Sequence, residues 1–152
     1  MVFAERIIAA TKEIFETMIM VEIEAGEACL TPPDSFSCSL SAVVSLTGGR
    51  QGQLSIHLPN AVAIGLTGDF LGLEVESIDD EVRDAMGELA NMIAGSIKPF
   101  IVSTERPVEL SIPSIIHGTD YSLGNLRDAE GATIPFNVSH GQFLVELELK
   151  KL

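Results

Sequence analysis

The sequence predicts an α+β fold built as one domain over residues 1–152: a mostly antiparallel sheet with long helices against its apolar face. Three observations carry this. Two long segments repeat apolar residues at helical spacing, one central segment alternates strictly, and two turn clusters are flanked by alternating runs. A chain of 152 residues is the size of one ordinary domain, and such a domain buries about two-thirds of its unfolded surface.

Phe3 to Met20 forms the first helix, because Phe3, Ile7, Ile8, Thr11, Ile14, Phe15 and Met18 recur three and four apart. Glu22 to Pro33 is a loop or irregular edge segment closed by Pro32-Pro33. Phe36 to Leu46 is the clearest strand. Phe36, Cys38, Leu40, Ala42, Val44 and Leu46 are expected on one face, and Ser37, Ser39, Ser41, Val43 and Ser45 on the other, which is lightly covered or wet. Gly48-Gly49-Arg50-Gln51-Gly52 turns the chain into a strand carrying Leu54, Ile56 and Leu58, stopped by Pro59.

A short helix covers Asn60 to Phe70, with Asn60 as its expected N-cap. A long helix opens at Asp79 or Asp80 and runs to about Lys98, and Asp79-Asp80-Glu81 suits its positive end. Val108 to Ile112 is a strand, and Pro113 to Gly118 a turn or short extended piece. Gly131 to Val138 and Gln142 to Lys150 form a closing hairpin around Ser139-His140-Gly141. The order repeats, so two helix-strand-strand halves are expected to share one sheet.

Hydrophobic residues make up 46% and charged residues 20% of the chain, a globular balance. The net charge of −13, with no Lys/Arg cluster, argues against nucleic acid and against an anionic membrane surface. It favours docking to a basic surface, such as a lysine-bearing site on another protein. The N-terminal helix is interrupted by Glu5, Lys12, Glu13 and Glu16, unlike a signal peptide, and no apolar run is long enough for a transmembrane helix. Cys29 and Cys38 match no zinc or redox spacing and read as buried or idle thiols in a reducing cytoplasm, with a disulfide the minority reading.

The most informative stretch is Asp84 to Gly95. At 100° per residue, Asp84, Glu88, Asn91, Gly95 and Lys98 fall within roughly 40° of one line, while Val82, Met86, Leu89, Ile93 and Ile97 face the core. Glu and Lys are ordinary on a solvated face. Asn is a mediocre mid-helix residue, and Gly87 and Gly95 each cost roughly 1 kcal/mol against Ala. Either tight packing on a neighbouring loop or close approach of a partner explains the glycines. An acid and an amide side by side can aim a water molecule, which points to hydrolytic chemistry or to a polar docking surface.

At these residues the chain resembles the CheC/CheX/FliY family, which dephosphorylates the phosphorylated chemotaxis regulator CheY. Asp84, Glu88, Asn91 and Pro113 match the family's Asp/Ser, Glu, Asn and Pro in type and spacing. Glu88-Leu89-Ala90-Asn91-Met92-Ile93-Ala94-Gly95 is similar to the CheX version of the helix, and Pro113 to Gly118 to the family's loop. The stretch of the first helix around Glu13 and Glu16 lacks the asparagine of a second site, so the likeness is nearest to single-site CheX-type members.

The resemblance implies a CheC-like fold, a hydrolase acting on the aspartyl phosphate of a CheY-like receiver, a cytoplasmic location and a homodimer. It implies that Asn91 holds the attacking water and Glu88 pairs with the receiver's active-site lysine. Asp84 would support Glu88 or the docking surface, Gly95 would leave room for the partner, and Pro113 would shape the adjoining loop. No metal or cofactor of its own is expected, because Mg²⁺ sits on the receiver. Two alternatives stay open: a non-catalytic adaptor of the flagellar switch or chemotaxis machinery using the same face, and a phosphatase for a receiver outside chemotaxis.

Other candidates carry less. His57, at a strand end, and His117 and His140, in turns, have no His or Cys partner at ligand spacing and read as structural or surface residues. No Gly-x-Ser-x-Gly elbow appears among the serines. The Gly48–Gly52 turn lacks the Gly-Lys-Ser/Thr ending of a phosphate loop.

Overall fold

A computed structural model describes residues 2–28, 35–101, 106–124 and 128–151. The first half runs α1 (Val2–Ile14), a π-helical turn (Phe15–Ile19), β1 (Glu24–Ala25), the hairpin β2 (Phe36–Gly48) and β3 (Gly52–Pro59), then α2 (Asn60–Leu71). The second half runs α3 (Asp80–Ile97), a 3₁₀ turn (Lys98–Phe100), β4 (Val108–Leu110), β5 (Ser114–Tyr121) and the hairpin β6 (Ala129–Val138) and β7 (Gly141–Lys150).

All strand pairs are antiparallel, in the order β1-β6-β7-β3-β2-β4, with β5 also on β2. The two hairpins meet at the centre through β3 and β7. Each half lends its short strands to the other: β1 flanks β6, while β4 and β5 flank β2. The helices follow the same exchange, since α1 packs on α3 and β6, and α3 packs on β2. The expected two-half repeat is therefore seen in element order and in the sheet.

Leu40, Ala42, Val44 and Leu46 of β2, Leu54, Ile56 and Leu58 of β3, and Phe143, Val145, Leu147 and Leu149 of β7 are buried in one core with Ile7, Phe15, Met86, Leu89 and Ile93. Phe143 stacks between Phe15 and Phe136, at 5.6 and 5.5 Å. Each fully buried side chain of this kind contributes about 1.5–3 kcal/mol over leaving it in water. That is what clamps the helices to the sheet.

Several expectations need correction. Cys38 does not share the core face with Leu40; it is a free, exposed thiol with φ of +46°. A left-handed residue reverses the pleat, so Phe36 also leaves the core face and stacks on His57 at 4.3 Å on the opposite side of the sheet. That opposite face is not simply wet, because Ser39, Ser41 and Ser55 are buried while Ser37 and Ser45 are exposed. Asn60 is already helical, and the cap position is Pro59 with no side-chain bond. Pro113 to Gly118 is no short piece: β5 continues to Tyr121 because its register along β2 holds from Val43 to Phe36. The irregular segment from Glu22 contains β1, and its Cys29, Pro32 and Pro33 lie outside the described residues.

Candidate functional site

The helix that carries the acid–amide pair is set by its cap and its keel. Asp79 accepts a hydrogen bond from the Val82 backbone N–H at 3.0 Å, and Asp80 and Glu81 occupy the first turn. Such a cap is worth about 1 kcal/mol, and the carboxylates complement the helix dipole. Val82, Ala85, Met86, Leu89, Ala90, Ile93, Ala94 and Ile97 are buried, which fixes the rotation of α3 about its axis.

That rotation leaves Asp84, Glu88, Gly95 and Lys98 exposed and Asn91 half-buried. Glu88 and Asn91 are separated by roughly 4.5 Å of axial rise on one face. Among the described residues, neither has a side-chain hydrogen bond or ion pair within the chain, and no hydrogen bond joins Asp84 to Glu88. The carboxylate and the amide therefore keep their hydrogen-bonding capacity for a ligand. A Cβ added at Gly95 would meet nothing within 4 Å, so the backbone there is open to approach.

Pro113 reaches this helix at its flank. It immediately precedes β5, whose Ser114 pairs with Val43. A Cβ on Gly87 would stand 3.3 Å from Pro113 Cγ and 3.5 Å from Ile115 Cδ1. Of the two glycines, Gly87 thus answers to close loop packing within the chain, whereas Gly95 does not. Ile112, next to Pro113, is 86% exposed.

A model of the chemotaxis phosphatase CheX family matches residues 40–137, a span that contains the whole stripe and Pro113. The chain belongs to the chemotaxis phosphatase CheX family. It is similar to the CheY-P phosphatase CheX of Thermotoga maritima, with 24% identity over 118 residues, 77% of this chain and 76% of that protein. Among solved structures it is similar to the chemotaxis protein CheX from Desulfovibrio desulfuricans, at 27% identity and a TM-score of 0.84, covering 99% of this chain and 100% of that one. It shares its fold with the CheX in a CheX–CheY–BeF3–Mg complex from Borrelia burgdorferi, at 21% identity and a TM-score of 0.78, covering 98% of each chain. The CheC-like fold class is thereby established.

A second polar constellation was not legible in the sequence. On the sheet face opposite the helices, His57 Nε2 lies 2.9 Å from Glu146 Oε1, His57 Nδ1 lies 2.7 Å from Ser41 Oγ, and Ser41 Oγ lies 2.7 Å from Tyr121 OH. His57 is buried inside β3, not at a strand end. A neutral ring satisfies the whole chain: Tyr121 donates to Ser41, Ser41 donates to Nδ1, and Nε2–H donates to Glu146. The order acid–histidine–serine invites a nucleophile reading. Ser41, however, is 0% exposed between two paired strands, so no substrate reaches it. The set is structural. The signal for it was register: Ser41 faces His57 across β2 and β3.

His117 lies on β5 and is exposed, and His140, in the β6–β7 turn, bonds Asp69 at 2.7 Å. Arg50, in the β2–β3 turn, is buried and donates to the Lys150 carbonyl and to Glu130. Among the described residues no group of three His, Cys, Asp or Glu side chains gathers to hold a metal ion, and no helix is long and apolar enough to cross a membrane.

Proposed function

We propose that this chain hydrolyses the aspartyl phosphate of a phosphorylated CheY-like receiver, with Glu88 and Asn91 as the catalytic pair. The observation that carries the reading is the outward placement of both side chains, without partners among the described residues, on the best-anchored helix of a CheX-family domain. The names of the Thermotoga and Borrelia relatives support the choice of substrate.

In this reading α3 enters the receiver's active site. Asn91 accepts a hydrogen bond from the attacking water and orients its oxygen toward phosphorus. A P–O bond forms to that oxygen as the bond to the aspartyl oxygen breaks, releasing inorganic phosphate and restoring the carboxylate. Phosphoryl transfer depends mainly on alignment and charge neutralisation, and rigid placement of the water is worth on the order of 10²-fold or more. An amide suits the task because it stays neutral beside the phosphate, where a carboxylate would be repelled. Glu88 pairs with the receiver's active-site lysine. Asp84 supports the acidic docking rim, Gly95 leaves the backbone open to the partner, and Pro113 braces the helix flank. Mg²⁺ belongs to the receiver and helps neutralise the phosphoryl oxygens. The chain acts as a single domain in a cytoplasmic homodimer.

The experiment is phosphate release from a phosphorylated receiver. Asn91→Ala is expected to abolish release while keeping affinity for the receiver. Glu88→Lys is expected to weaken both, through like-charge repulsion. Normal turnover by Asn91→Ala overturns the catalytic assignment. Binding without release by the unaltered chain, across the receivers of one cell, favours the adaptor role.

A further inference from the structure

Beside the acid–amide stripe, between the C-terminal end of α2 and the first half of α3, lies a groove of about 530 Å³ lined by Phe70, Leu71, Leu73, Ala85, Glu81, Asp84 and Glu88. Its construction is specific. Gly72 takes φ of +67°, and the Gly72 and Leu73 N–H groups both donate to the Gly68 carbonyl, at 2.8 and 3.2 Å. This is a left-handed helix end that suits glycine. It turns the chain so that Leu71 and Leu73, 41% and 53% exposed, stand on the groove wall. The floor is apolar and the α3 rim is acidic.

Glu88 belongs to both places. It lines the groove and also lies one helical turn from Asn91, so whatever meets Asn91 brings its neighbouring surface over the groove. On the helix wheel Glu81, Ala85 and Glu88 turn to one side of the stripe, and Gly87 with Pro113 to the other. The centre of the groove, near Asp84, lies roughly 10 Å along the axis from Asn91.

We infer that this groove is the second half of the receiver-docking surface, taking an apolar side chain carried next to a lysine or arginine on the phosphorylated receiver, roughly 10 Å from its phosphate. This rests on the reading of α3 as the element that enters the receiver. Charge complementarity selects the occupant. Glu88 is matched by the receiver's active-site lysine, but an apolar side chain alone leaves Glu81 and Asp84 without counter-charge, and a cation alone leaves Leu71 and Leu73 wet. An apolar residue flanked by a cation satisfies both. The groove then sets affinity and selects the receiver, whereas Asn91 sets the chemical step.

The test uses the full chain with a beryllofluoride-activated receiver for affinity and a phosphorylated one for turnover. Leu71→Asp and Leu73→Asp place charge on exposed positions, so the fold is expected to hold, and an unchanged Tm verifies it. Each is expected to raise Kd and KM about tenfold or more, with kcat at saturation within about twofold of the unaltered chain. Leu73→Met, which keeps an apolar wall, is expected to restore affinity. Unchanged Kd and KM in both aspartate variants overturn the inference while leaving the catalytic reading to the Asn91→Ala result. Conversion of a dimer to a monomer by either variant, seen by light scattering, also overturns it, because the groove then holds a second copy of this chain.

Discussion

Gly87 and Pro113 are packed together so closely that a Cβ on Gly87 would stand 3.3 Å from Pro113 Cγ. The loop entering β5 thereby rests on the flank of α3, beside Glu88. Its position on the other side is fixed by the register of β5 on β2. A helix glycine that costs roughly 1 kcal/mol in propensity is offset by this contact.

The contact predicts a graded response at Gly87. Alanine gains up to about 1 kcal/mol of helix propensity and asks Pro113, which precedes β5 in a loop with exposed Ile112, to yield by a few tenths of an ångström. Stability is expected to change by less than about 1 kcal/mol. Leucine cannot be accommodated without displacing the loop, and is expected to cost about 1–3 kcal/mol. Urea denaturation measures both. An unchanged midpoint for Gly87→Leu would mean that the loop does not rest on the helix.

Asp79 caps the N-terminal end of the same helix. Asp79→Ala removes the bond to the Val82 N–H and is expected to cost about 1 kcal/mol. Asp79→Ser or Asp79→Asn is expected to recover most of it. Hydrogen exchange of the first turn of α3 should quicken in the alanine variant and not in the other two.

The stripe on α3 was legible because amphipathic periodicity and family spacing agree at the same residues. Val82, Met86, Leu89, Ile93 and Ile97 fix the keel, and Asp84, Glu88 and Asn91 follow on the opposite side. What the sequence could not carry was anything decided across strands. Alternation assigned Phe36 and Cys38 to the core, but a left-handed residue leaves no composition signal when it is not glycine. His57, Ser41, Glu146 and Tyr121 are far apart in the chain and meet only once registers are known. The groove beside Glu88 likewise depends on how α2 ends against α3.

The His57–Glu146 pair makes a prediction about stability rather than turnover. His57→Ala leaves a buried carboxylate without its donor, and Glu146 Oε2 already has no hydrogen-bond partner among the described residues. The expected loss is about 1.5–3 kcal/mol, the scale of a hydrogen bond to a charged group. Replacing both residues by leucine is expected to recover much of it, since an apolar pair of similar volume costs little. Turnover per folded molecule should be unchanged, because the pair lies on the sheet face away from α3. A single variant of full stability would show that the carboxylate is not held by the ring.

Tyr121 sets an alkaline limit. Burial raises its pKa above the ordinary value of about 10, and the hydrogen bond with Ser41 lowers it by less. The folded state therefore holds the phenol proton more tightly than the unfolded chain. The contribution is fully present below about pH 10 and is lost as pH rises through the folded value, where the native anion would stand desolvated. Tyr121→Phe removes both the titration and the bond to Ser41. It is expected to be less stable by about 1 kcal/mol near neutrality, and to lose less stability than the parent above about pH 10. Lysines titrating in the same window affect both proteins alike and cancel in the difference. Urea midpoints between about pH 8 and 11 read this directly, and parallel curves would show that the phenol does not titrate differently on folding.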